Sequence, residues 1–228
     1  MNVLIACEES QTVCKAFRAR GFDAYSCDIQ ECSGGHPEWH IHGDVLPILN
    51  GGDFTAQDGG SGHVDKWDMI IAHPPCTFLS NCGAVHLFRG HQINMDRYNR
   101  GMEGRSFFMK FYEYGALGGT IAIENPVPSS IFNLPKETQI IEPYDYGEPV
   151  SKKTLLWLFG VPLLYPTNIV KSTQSCHDSG TWFSVGGKER QKNRSKTFDG
   201  IAQAMAEQWG DYIRDGKTQT PVQVSLFE

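Results

Sequence analysis

The sequence lacks any run of apolar residues long enough to span a bilayer, which excludes a transmembrane segment as its organising element. It also lacks a C-x-x-C pair. The seven cysteines, Cys7, Cys14, Cys27, Cys32, Cys76, Cys82 and Cys176, are odd in number and scattered, which argues against a zinc ribbon, a redox dithiol and a disulfide framework. There is no excess of positive charge: the formal net charge is −6, a poor match to a dedicated DNA-binding protein. No G-x-G-x-x-G follows the first apolar run, so the first loop is not built to cradle a dinucleotide pyrophosphate. Neither an internal repeat nor a long low-complexity segment is present. Met1 to Cys7 run directly into an apolar stretch without the basic segment and cleavage site of a signal peptide. The expected location is therefore a cytoplasm, with free thiols and no membrane partner.

What is present is the alternation of an α/β protein. The 228 residues are 40% hydrophobic and 20% charged, which suits one large globular domain and not a disordered chain. Short apolar runs at Val3–Cys7, Asp23–Asp28, Trp67–Ala72, Thr120–Ile123 and Thr154–Phe159 read as buried strands, and His42–Val45 as the end of a shorter one. Helical spacing is seen from Gln11 to Arg20, from Arg100 to Tyr114 and from Phe198 to Ile213. The Gly- and Asp-rich stretch at 50–65 reads as a flexible loop, and 217–228 as a polar tail. Residues 1–216 are expected to form a single domain: a Rossmann-like, mostly parallel sheet with helices on both faces. In such sheets ligands bind outside the carboxyl ends of the strands. Cys7-Glu8-Glu9, Asp28, Asp44, Pro74-Pro75-Cys76 and Glu124-Asn125 all fall at expected strand ends.

These residue types suggest a chemistry. An acid ending the second strand, Asp28, is placed for the ribose hydroxyls of a nucleoside cofactor, and Asp44 for its adenine edge. Glu8 and Glu9 in the first loop would repel a pyrophosphate but tolerate a cationic sulfonium, which favours S-adenosylmethionine over a nicotinamide dinucleotide. Two prolines before Cys76 fix the backbone and hold the thiol over the strand ends as a candidate nucleophile. Glu124, at a neighbouring strand end, is a candidate proton donor to the same substrate ring.

The order of these motifs resembles the cytosine-C5 DNA methyltransferases, and most closely short phage- and prophage-type members without a full target-recognition domain. That family carries a Pro-Cys loop after the fourth strand and a Glu-Asn dipeptide after the fifth. A tyrosine-glycine-x-proline-x-serine segment with basic residues follows, here Tyr146-Gly147-Glu148-Pro149-Val150-Ser151-Lys152-Lys153. The resemblance covers most of residues 1–165. It implies that Cys76, Glu124, Asn125 and Lys152 carry the chemistry. It implies cofactor contacts at Cys7, Glu8, Glu9, Asp28, Ile29, Asp44, Val45 and Pro74, and substrate contacts at Pro75, Ser80, Ser151, Lys153, Arg194 and Lys196. The implied reaction is C5 methylation of cytosine in DNA, with the target base out of the stack.

Departures from the family keep other readings open. The first loop is not glycine-rich, Thr154 stands where the family has a second arginine, and Pro126 follows the dipeptide. The segment 163–196 is short for a recognition domain, although Lys188, Arg190, Lys192, Arg194 and Lys196 could meet phosphates. The substrate could instead be a free deoxycytidine nucleotide, or a homodimer could complete the recognition surface. His73-Pro-Pro-Cys-Thr-Phe78 also fits an exocyclic N4-cytosine or N6-adenine methyltransferase with Phe78 as the stacking ring, and a non-catalytic nucleic-acid-binding or regulatory module is a further alternative. Cys32, His36, His40 and His42 lie close together, but their loose spacing reads as a loop of hydrogen-bonded histidines, so no metal is expected.

Overall fold

The computed structural model describes residues 1–84, 86–90, 92–175, 178 and 196–216. Seven strands form one sheet: β1 (Asn2–Ala6), β2 (Asp23–Asp28), β3 (His40–His42), β4 (Met69–Ala72), β5 (Ile121–Pro126), β6 (Gln139–Ile141) and β7 (Thr154–Phe159), in the order β6-β7-β5-β4-β1-β2-β3. β3, β2, β1, β4 and β5 run parallel. β7 runs antiparallel to both β5 and β6. The protein is thus an α/β fold on a large, mostly parallel mixed sheet.

Val3–Ala6 of β1, all of β4 and Ile121–Ile123 of β5 are apolar because both faces of the sheet are covered there. Val3, Ile5, Met69, Ile71, Ala122 and Leu156 pack on one side against Val13, Cys14 and Phe17 of α1 (Thr12–Ala19) and against the C-terminal helical segment. Leu4, Ala6, Ile70, Ala72, Ile123 and Trp157 face the other way, towards Phe108 and Phe111 of a long helix, Met95–Ala116. Burying each Ile or Leu contributes about 1.5–3 kcal/mol. The C-terminal segment comprises Asp199–Ala204, a π turn at Met205–Trp209 and Gly210–Arg214. Among the described residues no helix is long and apolar enough to cross a membrane.

One expectation needs correction, and two features go beyond what was expected. The stretch expected as a flexible loop at 50–65 contains a β-hairpin, Gly52–Thr55 paired with Ser61–Val64. Its Gly and Asp residues make the turn, while Phe54 is buried against Tyr25, with ring centroids 4.8 Å apart. A Cβ on Gly62 would sit 2.3 Å from the Phe54 ring, so glycine there admits the aromatic side chain. The strand Gln139–Ile141 was not expected, because its three residues alternate too briefly to register as a period. The Thr154–Phe159 strand is antiparallel, and its register sets Thr154 opposite Pro126 and Leu155 opposite Asn125. The start of β7 therefore meets the end of β5, which brings Ser151-Lys152 to the sheet edge where β1 to β5 end.

Candidate active site at the carboxyl ends of the strands

The loop carrying Cys76 is shaped by what its prolines lack. The His73 N–H still donates to the Ala6 carbonyl at 2.9 Å, so strand pairing with β1 runs one residue past β4. Pro74 and Pro75 have no N–H, and the ladder stops there. Two other contacts then fix the chain. The Asn125 side chain donates through Nδ2 to the Pro74 carbonyl at 2.8 Å, and the Cys76 carbonyl accepts from the Leu79 and Ser80 N–H groups at 3.1 and 2.9 Å. Asn125 is buried, Pro74 is buried and Cys76 is half-buried. Asn125 thus works as a strut between β5 and the Cys76 loop.

Around Cys76 three ionisable groups converge, His73 from its own loop and Glu124 and Lys152 from two other segments. His73 Nδ1 lies 3.0 Å from Glu124 Oε2, with side chains only 9% and 14% exposed. Burial pushes the Cys76 thiol up, the Glu124 charge pushes it further, and the Lys152 charge opposes both; the net shift is upward. The resting sulfur is therefore a thiol. Burial also works against a charged Glu124, but the His73 hydrogen bond and charge, helped by Lys152, outweigh it and hold the carboxyl below the ordinary range. His73 is the mirror case: burial disfavours its charge, while Glu124 and then Glu8 overcome that and raise it. The Lys152 charge is close enough to act on Cys76, Glu124 and His73 alike. Its backbone N–H is held by Glu142 Oε2 at 2.8 Å, its Nζ lies 5.6 Å from the Phe198 ring centre, and Ser151 Oγ donates to the same Glu142 oxygen at 3.3 Å.

The positions expected to line a cofactor divide into two groups. Cys7, Asp28 and Asp44 cluster at the ends of β1, β2 and β3, near enough that, after burial, both carboxylates push the Cys7 thiol up. Asp28 is half-buried and accepts from the Gln30 N–H at 2.9 Å; burial raises its carboxyl. Asp44 is exposed and accepts from the Leu46 N–H at 3.0 Å, and Val45 is buried beneath it. Ile29 is 76% exposed, a large apolar side chain standing open beside Asp28.

Glu8 and Glu9 behave differently from expectation. Glu8 is buried, and its two oxygens accept from the Val13 and Cys14 N–H groups at 2.6 and 3.1 Å, so it caps α1 and does not line an open cleft. Burial raises its carboxyl, and the His73 charge and the amides of the helix start oppose that only in part. Glu9 is bound by the Ser33 hydroxyl and is directed towards that loop. The first loop does turn tightly without glycine: Cys7 and Gln11 take left-handed φ values of 61° and 57°. Gln11 is fully buried, and its side chain donates to the His36 carbonyl at 2.8 Å and accepts from the His36 N–H at 3.0 Å, which offsets the backbone cost.

Of the expected substrate positions, Pro75 and Lys153 are exposed, Ser151 and Lys196 are half-buried, and Arg194 lies outside the described residues, as do Lys188, Arg190 and Lys192 of the same basic cluster. Ser80 is buried and its Oγ accepts from the Gly83 N–H at 3.2 Å, a turn contact and not a substrate-facing one. Phe78 is flanked by the Arg97 and Arg100 guanidinium groups, 5.0 and 5.5 Å from its ring centre. The histidines near Cys32 are engaged inside the protein: His40 bonds Ser26 Oγ at 2.8 Å and the Gln30 carbonyl at 2.9 Å, His42 bonds the Ile29 carbonyl at 3.0 Å, and His36 bonds Glu38 at 2.9 Å. Among the described residues no group of three or more His, Cys, Asp or Glu is placed to hold a metal ion. Two residues escaped sequence reasoning, His73 and Glu142. His73 carried a signal, since a polar ring directly after four buried apolar residues calls for a partner. Glu142 carried none. No protein-family model matches the chain, and no curated protein matches it.

Proposed function

We propose that the chain is an S-adenosylmethionine-dependent methyltransferase that acts on C5 of cytosine, in DNA, through a covalent bond from Cys76 to C6. The observation that carries this reading is the convergence of Cys76, Glu124 and Lys152, from three separate segments, on one half-buried point of the sheet edge. A ring carbon at the level of alkene reactivity needs a soft nucleophile and a proton donor on opposite parts of the ring, and these residue types supply both. The Rossmann-like strand order, with a single antiparallel strand next to the last, supports the same class.

The residues at the ends of β1 to β3 fit the cofactor. Ile29 offers an apolar face for adenine, Asp28 an acceptor for ribose hydroxyls, and Asp44 an acceptor for the adenine amine. S-adenosylmethionine supplies an electrophilic methyl group when bound. Cys76, entering as thiolate, adds to C6 while Lys152 offsets its charge. Glu124 bonds the exocyclic amine and protonates N3, and the electron density displaced from the C5=C6 bond makes C5 the nucleophile that takes the methyl group. Loss of the C5 proton and departure of Cys76 restore the ring.

Exocyclic amine chemistry would need neither Cys76 nor Glu124, and Phe78, held between two guanidinium groups, is a poor candidate for its stacking ring. The net charge of −6 favours testing a free deoxycytidine nucleotide beside DNA. A methyl-transfer assay on both substrates, with mass analysis of the nucleosides, is expected to give 5-methylcytosine from one of them. A product of N4-methylcytosine or N6-methyladenine would refute the reading. Calorimetry with S-adenosylmethionine is expected to show binding that Ile29→Ala weakens several-fold.

A further inference from the structure

We propose that His73 is a positioning residue for this reaction, donating through Nδ1–H to Glu124 and holding between turnovers the proton that Glu124 delivers to N3; the inference rests on the C5 reading. The geometry is that of a built pair. Nδ1 and Oε2 are 3.0 Å apart, the imidazole is 91% buried by its side-chain exposure of 9%, and the ring's other nitrogen, Nε2, has no protein partner. A histidine buried at a strand end with one nitrogen unpaired is an expensive way to fill space in either charge state, so its place calls for a compensating partner. A charged one is explained by what surrounds it. Glu124 faces it from β5 and Glu8 from the loop after β1, two carboxylates against the single opposing charge of Lys152 from the segment before β7.

Glu124 alone presents a difficulty for the mechanism. Paired with His73 it is ionised, yet N3 needs a proton as Sγ bonds to C6. The pair resolves this because it carries one mobile proton between its two members. The Cys76 thiol proton leaves to solvent as the thiolate forms. As the C6–S bond forms, the C5=C6 electrons shift to C4–C5 and the C4=N3 electrons to N3, while Glu124 takes the Nδ1 proton of His73 and passes it to N3, leaving Glu124 ionised and His73 neutral. Once C5 carries the methyl group, C4=N3 re-forms and the N3 proton returns along the same path; the C5 proton then leaves to solvent, C5=C6 re-forms and the C6–S electrons leave on sulfur. No oxidant enters, and the methyl donor is the only further reactant.

The test uses the full chain. Histidine ring nitrogens are labelled with ¹⁵N, His73 is assigned by its loss in His73→Gln, and its titration is followed in wild type and in Glu124→Gln. His73 is expected to hold its proton to higher pH than a free histidine and to lose that advantage in Glu124→Gln. A ring that stays neutral across the range, or that titrates identically in both proteins, overturns the pairing. In the methyl-transfer assay both proteins must form the Cys76 thiolate, which alkaline pH favours, but wild type also needs the His73 proton, so its kcat is expected to level off as pH rises past the titration of His73. His73→Gln keeps an N–H donor but no titratable proton, so its kcat is expected to keep rising with pH over the same range, at a rate about ten- to a hundredfold lower at neutral pH, with KM for the cytosine substrate little changed. A His73→Gln variant with the wild-type rate and the wild-type levelling-off overturns the proposal. If His73→Gln does not fold, the wild-type and Glu124→Gln titrations still decide the pairing. A wild type that makes no 5-methylcytosine sinks the C5 reading and the delivery to N3 with it, while the titration separately reports whether the pair exists.

Discussion

Replacing Asn125 probes the strut that holds the Cys76 loop to the sheet. In Asn125→Ala the Pro74 carbonyl loses its 2.8 Å donor in a buried setting. Leaving such an acceptor unpaired costs about 1–3 kcal/mol. Asn125 Oδ1 is itself buried without a protein partner, so its removal returns part of that cost. The net loss is about 1.5 kcal/mol, and for a chain of this size each kcal/mol moves Tm by about 2–4 °C, giving a fall of about 3–6 °C. Asn125→Asp is the sharper test. It is nearly isosteric, but it sets an acceptor against the Pro74 carbonyl and a second buried carboxylate beside Glu124. It should therefore destabilise more than alanine, and the gap should narrow at low pH, where a protonated Asp can donate. Thermal unfolding of the three proteins at neutral and acidic pH measures this. Equal Tm values for wild type and Asn125→Ala, or Asn125→Asp more stable than Asn125→Ala at neutral pH, would refute the strut.

Glu8→Ala leaves the Val13 and Cys14 amides unpaired at the start of α1 and should cost about 2–3 kcal/mol in urea unfolding, whereas Glu8→Gln, which keeps an acceptor, should cost less. Charge swaps around the nucleophile should act with opposite signs: Lys152→Met slows alkylation of Cys76 at fixed pH and Glu124→Gln speeds it, read by mass mapping of the Cys76 peptide, and the same sign in both would contradict the electrostatics. Stability should also report the His73–Glu124 pair. Glu124, held low, contributes stability that is present above about pH 4.5 and lost as pH falls through its folded value; His73, held high, contributes stability that is present below about pH 6.5 and lost as pH rises through its folded value. The Tm advantage of wild type over His73→Gln should therefore be greatest between about pH 4.5 and 6.5, and a gap that widens above pH 8 would contradict the assignment.

Much of the framework was legible in the sequence, for identifiable reasons. Thr154–Phe159 was read to the residue because an apolar, aromatic run bounded by Lys153 and Gly160 leaves few alternatives, and Asp23–Asp28 because two acids bracket a short segment after Gly21. The direction of β7 was not legible, since an apolar run has no polarity. The hairpin at Gly52–Val64 was hidden by composition, because its identity rests on the burial of Phe54 under Tyr25 and Trp67, contacts made across the fold. The same holds at the site. Cys76, Glu124 and Lys152 were identified by residue type and order. The roles of Glu8 as a helix cap, Ser80 as a turn residue and Asn125 as a strut depend on which amides and carbonyls face them, and only the folded chain supplies that. His73 was given no role of its own because its meaning lies 51 positions away, in Glu124.

Covalent capture of the nucleophile tests the central claim most directly. Wild type and Cys76→Ser are incubated with S-adenosylmethionine and DNA carrying 5-fluorodeoxycytidine, in which fluorine blocks loss of the C5 substituent and strands the adduct, and intact mass is recorded after denaturation. The account predicts a wild-type species heavier by the oligonucleotide plus one methyl group, linked at Cys76 and absent from Cys76→Ser. Methyl transfer to cytosine by Cys76→Ser at the wild-type rate, with no adduct in either protein, would contradict it.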